Sequence, residues 1–338
     1  MESWGEAAFR GRQLFKWLWT PGFASLDEVT DLPKTLRTRL ALEGYVYNLE
    51  TVSVVASKLD DTCKWAFRLE DGNVIETVLI PGDNHATLCV SSQVGCAMGC
   101  RFCKTGSMGF VRNLSPSEIA GQVLSVIEQL GSEQRPRNLV FMGMGEPLAN
   151  FENVVASIRI LSSELGLNYS KRRITVSTSG IAPKIIELGN EIDVGLAISL
   201  HATTNSLRDR LMPINKRYPL EILMDACRRF KLPKRRRITF EYIVLKGLNH
   251  SREDANRLAR LLDGIPSKIN LIPYNFVDGL EFQAPSEKEV LDFQRFLMDK
   301  GFTAIIRKSR GKDIEAACGQ LWSKVIRDEA RVKGSNPD

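Results

Sequence analysis

The chain has 338 residues, of which 43% are hydrophobic and 25% charged, with 46 Lys and Arg against 40 Asp and Glu for a net charge of +6. That length and balance suit a globular protein with a full core and exclude a disordered or fibrous chain. No run of about eighteen apolar residues occurs and Met1 to Gly11 does not read as a signal peptide, so no membrane association and a cytoplasmic location are expected. In such a reducing compartment the seven cysteines point to metal or redox chemistry rather than to structural disulfides. Basic residues bunch at Lys171 to Arg173, Lys234 to Arg237 and Arg307 to Lys312. Such runs suit a polyanion, though they are also the ordinary make-up of a solvated face.

In chain order, residues 1–45 read as a small helical unit. Phe9, Leu14, Phe15, Leu18 and Trp19 form an apolar stripe with Arg10, Arg12 and Lys16 interleaved, and a second helix is predicted after Asp31, with Pro33 in its first turn and an end at Gly44. Residues 46–82 read as a short antiparallel β segment with strands at Tyr45 to Val55, Lys64 to Leu69 and Asn73 to Ile80, the last two joined by an Asp71-Gly72 turn. After Pro81-Gly82 strand and helix alternate. Strands are predicted at Ala86 to Ser92, Asn138 to Met142, Arg173 to Ser177, Val194 to Leu200, Ile238 to Leu245, Lys268 to Ile272 and Phe302 to Arg307. Between them come helices opened by a Ser115/Glu118 capping box with Pro116 at its first position, by Asn150 as a cap, near Pro183, Pro219 and Arg252, and by a Ser286/Glu289 box. The fold class expected is α/β: a partial (β/α)6 barrel over residues 83–325, with the helical unit and β segment before it and a polar tail, 326–338, after it.

Functional loops of such a barrel lie at the carboxyl ends of its strands. The loop after the first barrel strand holds Cys96-Ala-Met-Gly-Cys100-Arg-Phe-Cys103, three thiols spaced to reach one metal centre. Structural zinc and iron-sulfur sites normally use four protein ligands, so three leave one position open, unless a zinc loop borrows a distant ligand. Gly143-Met-Gly-Glu-Pro147 follows the second strand and offers backbone groups and one carboxylate to a cation. Ser177, Ser199-Leu200-His201 and Asn275 end later strands and offer polar groups to a ligand. Asn270 begins its strand and is the weaker of that phrase's two asparagines.

The three-cysteine spacing resembles that of the radical S-adenosylmethionine superfamily. That resemblance implies a 4Fe-4S cluster on Cys96, Cys100 and Cys103, with S-adenosylmethionine on the open iron and in contact with Gly145, Glu146, Ser177, Ser199, Leu200, His201 and Asn275. Cys89-Val-Ser-Ser-Gln-Val-Gly-Cys96, Lys104-Thr-Gly106, Arg112-Asn-Leu114, the Cys318 phrase Arg310 to Gln320, and the amino-terminal Arg12 to Leu18 and Leu32-Pro33 phrases are more specific. They resemble the RlmN/Cfr family of RNA methyltransferases over nearly the whole chain.

What this resemblance implies is methylation of carbon 2 of an adenine in 23S rRNA and in tRNA. Two S-adenosylmethionines are consumed per turnover, and a methyl carried on Cys318 becomes a methylene radical that adds to the base. Glu76 is implied as the proton acceptor and Cys89 as the thiol that resolves the adduct by forming a transient disulfide with Cys318. A flavodoxin-type electron donor, a thiol reductant and a monomeric state complete the family expectation. The alternative for Glu76 is an outward position on an edge strand, and for Cys89 a buried packing role. Cys63 and Cys227 read as packing residues, and His85 and His250 as exposed. Lys104 stands where the family usually has alanine. The alternatives are carbon 8 methylation, as in Cfr, and a metal-stapled RNA-binding module without catalysis.

Overall fold

The architecture follows from apolar strands that alternate with amphipathic helices, each helix burying one stripe on the sheet. The protein is seen in a computed structural model that describes residues 1–83, 85–131, 134–277 and 279–321, without the side chain of Glu2. The expected polar tail, 326–338, and residues 322–325 of the expected barrel lie outside the described residues. Among the described residues no helix is long and apolar enough to cross a membrane.

Two helices, α1 (Ala8–Leu18) and α2 (Lys34–Glu43), form the amino-terminal unit. They close on a small core of Phe23, Val29, Leu32 and Leu36, and the indole of Trp17 donates to Asp31 Oδ1 at 2.9 Å. Pro33 is the residue before the first turn and Gly44 caps the end, as the sequence predicts within one position. The expected stripe of α1 is only partly covered: no α1 residue is fully buried and Phe9 is 45% exposed.

Strands β1 (Glu50–Ala56), β2 (Cys63–Arg68) and β3 (Val74–Ile80) pair antiparallel, and β3 pairs antiparallel with β4 (Thr87–Cys89). From β4 the ladder turns parallel through β7 (Asn138–Phe141), β8 (Ile174–Thr178), β9 (Gly195–Ser199), β10 (Ile238–Val244), β11 (Ser267–Pro273) and β12 (Ala304–Ile306). The β segment is therefore continuous with the barrel in one ten-stranded sheet. Two strands that the sequence reading did not resolve, β5 (Gln93–Gly95) and β6 (Phe110–Asn113), make a separate ribbon that frames the three-cysteine loop.

Helices α4 (Pro116–Leu130), α5 (Phe151–Ser162), α6 (Ala182–Glu191), α8 (Leu220–Arg229), α9 (Arg252–Leu261) and α10 (Glu287–Met298) cover the sheet, with short α3 (Lys104–Ser107) and α7 (Asn205–Leu211) in the loops. The Ser115/Glu118 and Ser286/Glu289 capping boxes form as read. Asn150 is a correction. Its side chain does not cap α5 but donates to the carbonyls of Ser92 and Leu114, both at 2.8 Å, because a 3-10 turn over Pro147–Asn150 already leads into the helix.

Candidate active site

The parallel strands direct their carboxyl ends at one cavity of about 160 Å³, lined by Cys96, Cys100, Cys103, Glu146, Ser177 and His201 among others. The loop after β4 reaches it through β5, where the Cys96 amide donates to Gly109 at 2.7 Å, and the Arg101 amide donates to Leu211 at 3.0 Å. Burial pushes the Cys96 thiol up to about 12 and raises Cys100 and Cys103 as well, with neighbouring thiols adding to Cys100. These are thiols that gain from a cation in their midst. Among the described residues no three His, Cys, Asp or Glu side chains are gathered as a site for a single metal ion.

The turn after β7 shows why it is rich in glycine. A Cβ on Gly143 would stand 2.7 Å from Ser91 Oγ, and one on Gly145, whose φ is +102°, would stand 2.6 Å from Gln93 Cβ. This close approach lets Gln93 Oε1 accept the Glu146 amide at 2.8 Å. The Glu146 carboxylate accepts the amides of Ser179 at 2.6 Å and Leu148 at 3.1 Å, which oppose the upward pull of burial on its pKa. The carboxylate is thus fixed facing the thiols.

His201 occupies the left-handed region at φ +61° and is 3% exposed. Its Nδ1 accepts the Ile243 amide at 3.1 Å, and burial, followed by the Arg208 charge, lowers it to about 3. The ring is therefore neutral with its proton on Nε2, a donor. The Leu200 side chain packs in the core, fully buried, and its amide and carbonyl are taken by Glu241, Ala202 and Arg208, so the structure does not bring the expected Leu200 contact to this cavity.

A second cavity of about 300 Å³ fills the barrel below the first, and Cys318, Glu241, Met142 and Ile272 line both. Its outer rim carries Arg172, Arg173, Lys268, Arg307, Lys308 and Arg310. Cys89, at the end of β4, lines it too, and the Cys318 thiol is close enough to add to the rise that burial causes in Cys89. Protein surrounds Cys318, pushing it up to about 11 through desolvation and then Glu241, yet the residue stays open to the cavity.

The Cys318 loop is held from three sides. Asp313 accepts Ser57 Oγ at 2.7 Å and the Lys58 amide at 2.9 Å, Gly319 accepts the Lys104 amide at 2.7 Å, and Asn275 Nδ2 reaches the Cys318 carbonyl at 3.5 Å. Glu76, on β3, is 2% exposed and its Oε1 lies 3.0 Å from Lys64 Nζ. The outward edge-strand placement is thereby excluded. Glu76 shares the face of Val78 and Ile80, which line the second cavity.

These residues fit a thiolate-bound cluster and an amino-acid cofactor. Three thiols and a fixed carboxylate face one space and the Gly143 to Pro147 turn admits a ligand against backbone, whereas Asn275 lines the second cavity, where its buried Oδ1 has no partner among the described residues.

Residues 90–259 match the Radical SAM superfamily, and residues 1–46 match the Ribosomal RNA large subunit methyltransferase N-terminal domain. A dual-specificity RNA methyltransferase RlmN from Anaeromyxobacter sp. (strain Fw109-5) is 54% identical over 94% of this chain and 85% of its own length. The chain belongs to the RlmN family. The RlmN of Geobacter sulfurreducens is 52% identical over 95% of this chain and 88% of its own. A radical SAM methyltransferase from Sphaerobacter thermophilus superposes with a TM-score of 0.88 at 44% identity, covering 95% of this chain and 94% of that one. Membership in the RlmN family makes this a radical S-adenosylmethionine methyltransferase and carries with it a 4Fe-4S cluster and S-adenosylmethionine as cofactors.

Sequence reasoning missed two residues that brace or line this site, Arg208 and Glu241, and set aside a third, Asn270. Arg208, fully buried, donates to the carbonyls of Ser179 at 2.7 Å, Ser199 at 3.1 Å and Leu200 at 3.1 Å, knitting the ends of β8 and β9 beside Cys100. Glu241 and Asn270 face the barrel lumen. A charged residue inside the otherwise apolar phrase Ile-Thr-Phe-Glu-Tyr-Ile-Val was the available signal for Glu241. Cys227 is a packing residue on α8, 2% exposed, as expected.

Proposed function

We propose that this methyltransferase acts on RNA, transferring a methyl group to carbon 2 of an adenine in 23S rRNA and in tRNA. The observation that carries the reading is Cys318, which stands where the cofactor-side cavity opens into the base-sized lumen, with Cys89 beside it. The basic rim of that lumen supports a phosphate backbone at its mouth and an unstacked base within it.

Cys96, Cys100 and Cys103 would hold the cluster, and Gly145, Glu146, Ser177, Ser199, His201 and Asn275 would hold S-adenosylmethionine. Together these groups supply, when bound, a methyl donor and a carbon-centred radical. Every other step belongs to side chains of this chain. Cys318 carries the one-carbon unit as a thioether and presents it to carbon 2, an electron-poor position that a one-carbon radical can attack. Glu76 takes the proton displaced from carbon 2. The adduct's unpaired electron returns to the one-electron couple that started the radical step, and Cys89 then attacks the Cys318 sulfur; the carbon-sulfur bond breaks with its electron pair on the one-carbon unit, which takes up a proton to become the methyl group, and the methylated base leaves a Cys89-Cys318 disulfide. A thiol reductant restores the two thiols and a flavodoxin-type donor supplies electrons. Residues 1–45 act as an RNA-binding accessory, 46–82 bring Glu76 to the site, and 83–325 form the catalytic barrel of a cytoplasmic monomer.

The test is mass spectrometry of nucleosides digested from 23S rRNA fragment or tRNA after anaerobic reaction. The reading expects 2-methyladenosine from the wild type and none from Cys318→Ala. An 8-methyladenosine product would move the chemistry to the other ring, and a Cys318→Ala variant that still methylates would overturn the role of Cys318.

A further inference from the structure

The barrel lumen is lined by small side chains, Thr175, Ala197 and Thr239, and by two polar ones that no step above employs, Glu241 and Asn270. Glu241 and Asn270 stand opposite each other in the parallel register of β10 and β11, and Asn270 Nδ2 donates to Glu241 Oε1 at 2.9 Å. They are 7% and 8% exposed, and what remains open of both faces the lumen. The side chain that meets Glu241 directly is Asn270, and Arg307 and Lys268 act on it only through charge. A carboxyl so placed is costly to keep in a β-strand unless it meets a partner of its own.

Burial raises the pKa of Glu241, favouring the neutral acid, which accepts at one oxygen and donates from the other. Adenine offers the complement on one edge, where its 6-amino group donates and its N1 accepts. Carbon 2 is the ring atom next to N1. A base held by that edge therefore turns carbon 2 toward the part of the lumen where Glu241 and Cys318 are neighbours. Guanine reverses both hydrogen-bonding positions and carries an amino group on the carbon that must react.

We propose that Glu241, oriented by Asn270, selects the target base by hydrogen-bonding the N1 and 6-amino edge of adenine inside the barrel. This rests on the RNA-adenine reading above and names the residue that determines its specificity. A hydrogen bond to N1 also withdraws electron density from carbon 2, where the new bond forms.

The test measures binding by fluorescence anisotropy, without S-adenosylmethionine. It compares a stem-loop RNA bearing the target adenine with the same RNA bearing purine, which lacks the 6-amino group, or 1-deazaadenine, which lacks N1. The wild type should bind the adenine RNA roughly tenfold to a hundredfold more tightly than either analogue. Glu241→Ala should lose that preference, its affinity falling far more for the adenine RNA than for the analogues, Asn270→Ala should weaken it, and Glu241→Gln, whose amide also accepts and donates, should keep it. If Glu241→Ala is unstable, Glu241→Met fills the same space and should lose the preference equally. A preference unchanged in Glu241→Ala or Glu241→Met, or absent from the wild type, overturns the proposal, and a merely structural role would weaken all three RNAs alike. Nucleoside analysis of the wild-type reaction separates the two claims. Methylated adenosine together with a preference indifferent to Glu241 overturns only this inference; no methylated adenosine from either RNA overturns the RNA reading itself.

Discussion

The Lys64 ammonium stands 3.0 Å from Glu76 Oε1 and 3.3 Å from the Glu315 carbonyl, so one nearly buried cation ties β3 to the loop that carries Cys318. The side chains of the ion pair are 10% and 3% exposed. Removing one partner of such a pair strands the other in low dielectric. We expect Lys64→Met to cost about 3 to 5 kcal/mol in chemical denaturation. Lys184→Met, which breaks a half-exposed pair with Glu187, should cost about 1 kcal/mol or less. Equal losses in the two variants would mean that Lys64 does not hold the loop.

Gly145 should tolerate no side chain. A methyl group there meets Gln93 at 2.6 Å and the backbone sits at φ +102°, whereas at Gly247, φ +71°, nothing lies within 4 Å. Gly145→Ala should therefore lose about 2 kcal/mol or more of stability, against about 1 kcal/mol for Gly247→Ala. It should also weaken S-adenosylmethionine binding in calorimetry, because Gln93 positions the Glu146 amide.

Histidine 201 gives the fold an acid sensitivity of known sign. Its pKa is about 3 when folded, chiefly through burial, and near 6.5 when unfolded, so between those values only the unfolded chain binds the proton. Its contribution is complete above pH of about 6.5 and is lost as pH falls toward 3, at about 1.4 kcal/mol per pH unit. His201→Gln, whose oxygen can still accept the Ile243 amide, should show a slope of stability against pH shallower by one proton between about pH 6 and 4. Identical slopes would contradict a buried neutral imidazole.

Electrostatics should dominate RNA affinity. Arg172 and Arg236 are close enough that Arg172, after burial, lowers the pKa of Arg236, a crowding of like charge that phosphates relieve. Binding should weaken steeply with salt, and Arg172→Ala should reduce the slope of log affinity against log salt by about 1. A slope unchanged by that substitution would take Arg172 out of the RNA path.

Much of this was legible in the sequence because the signals were local. Ser115 with Glu118, and Ser286 with Glu289, predict helix starts that the structure reproduces, since a capping box satisfies its own amides. Three cysteines and the glycine-rich turn fell one strand apart and face one cavity. What stayed hidden depended on register. Strand β11 starts at Ser267, which puts Asn270 mid-strand and facing the lumen rather than at its beginning. An outward edge placement stayed open for Glu76 until β2 brought Lys64 beside it. The partners of Arg208 are carbonyls on two other strands, which no spacing along the chain announces.

The central claim is that the methyl group passes through Cys318, and the deuterium content of the product tests it most directly. With S-adenosylmethionine deuterated in its methyl group and unlabelled RNA, the account expects 2-methyladenosine whose new methyl carries two deuteriums, because one is removed while the carbon is on sulfur. A methyl retaining all three would mean direct transfer and would contradict the thioether route.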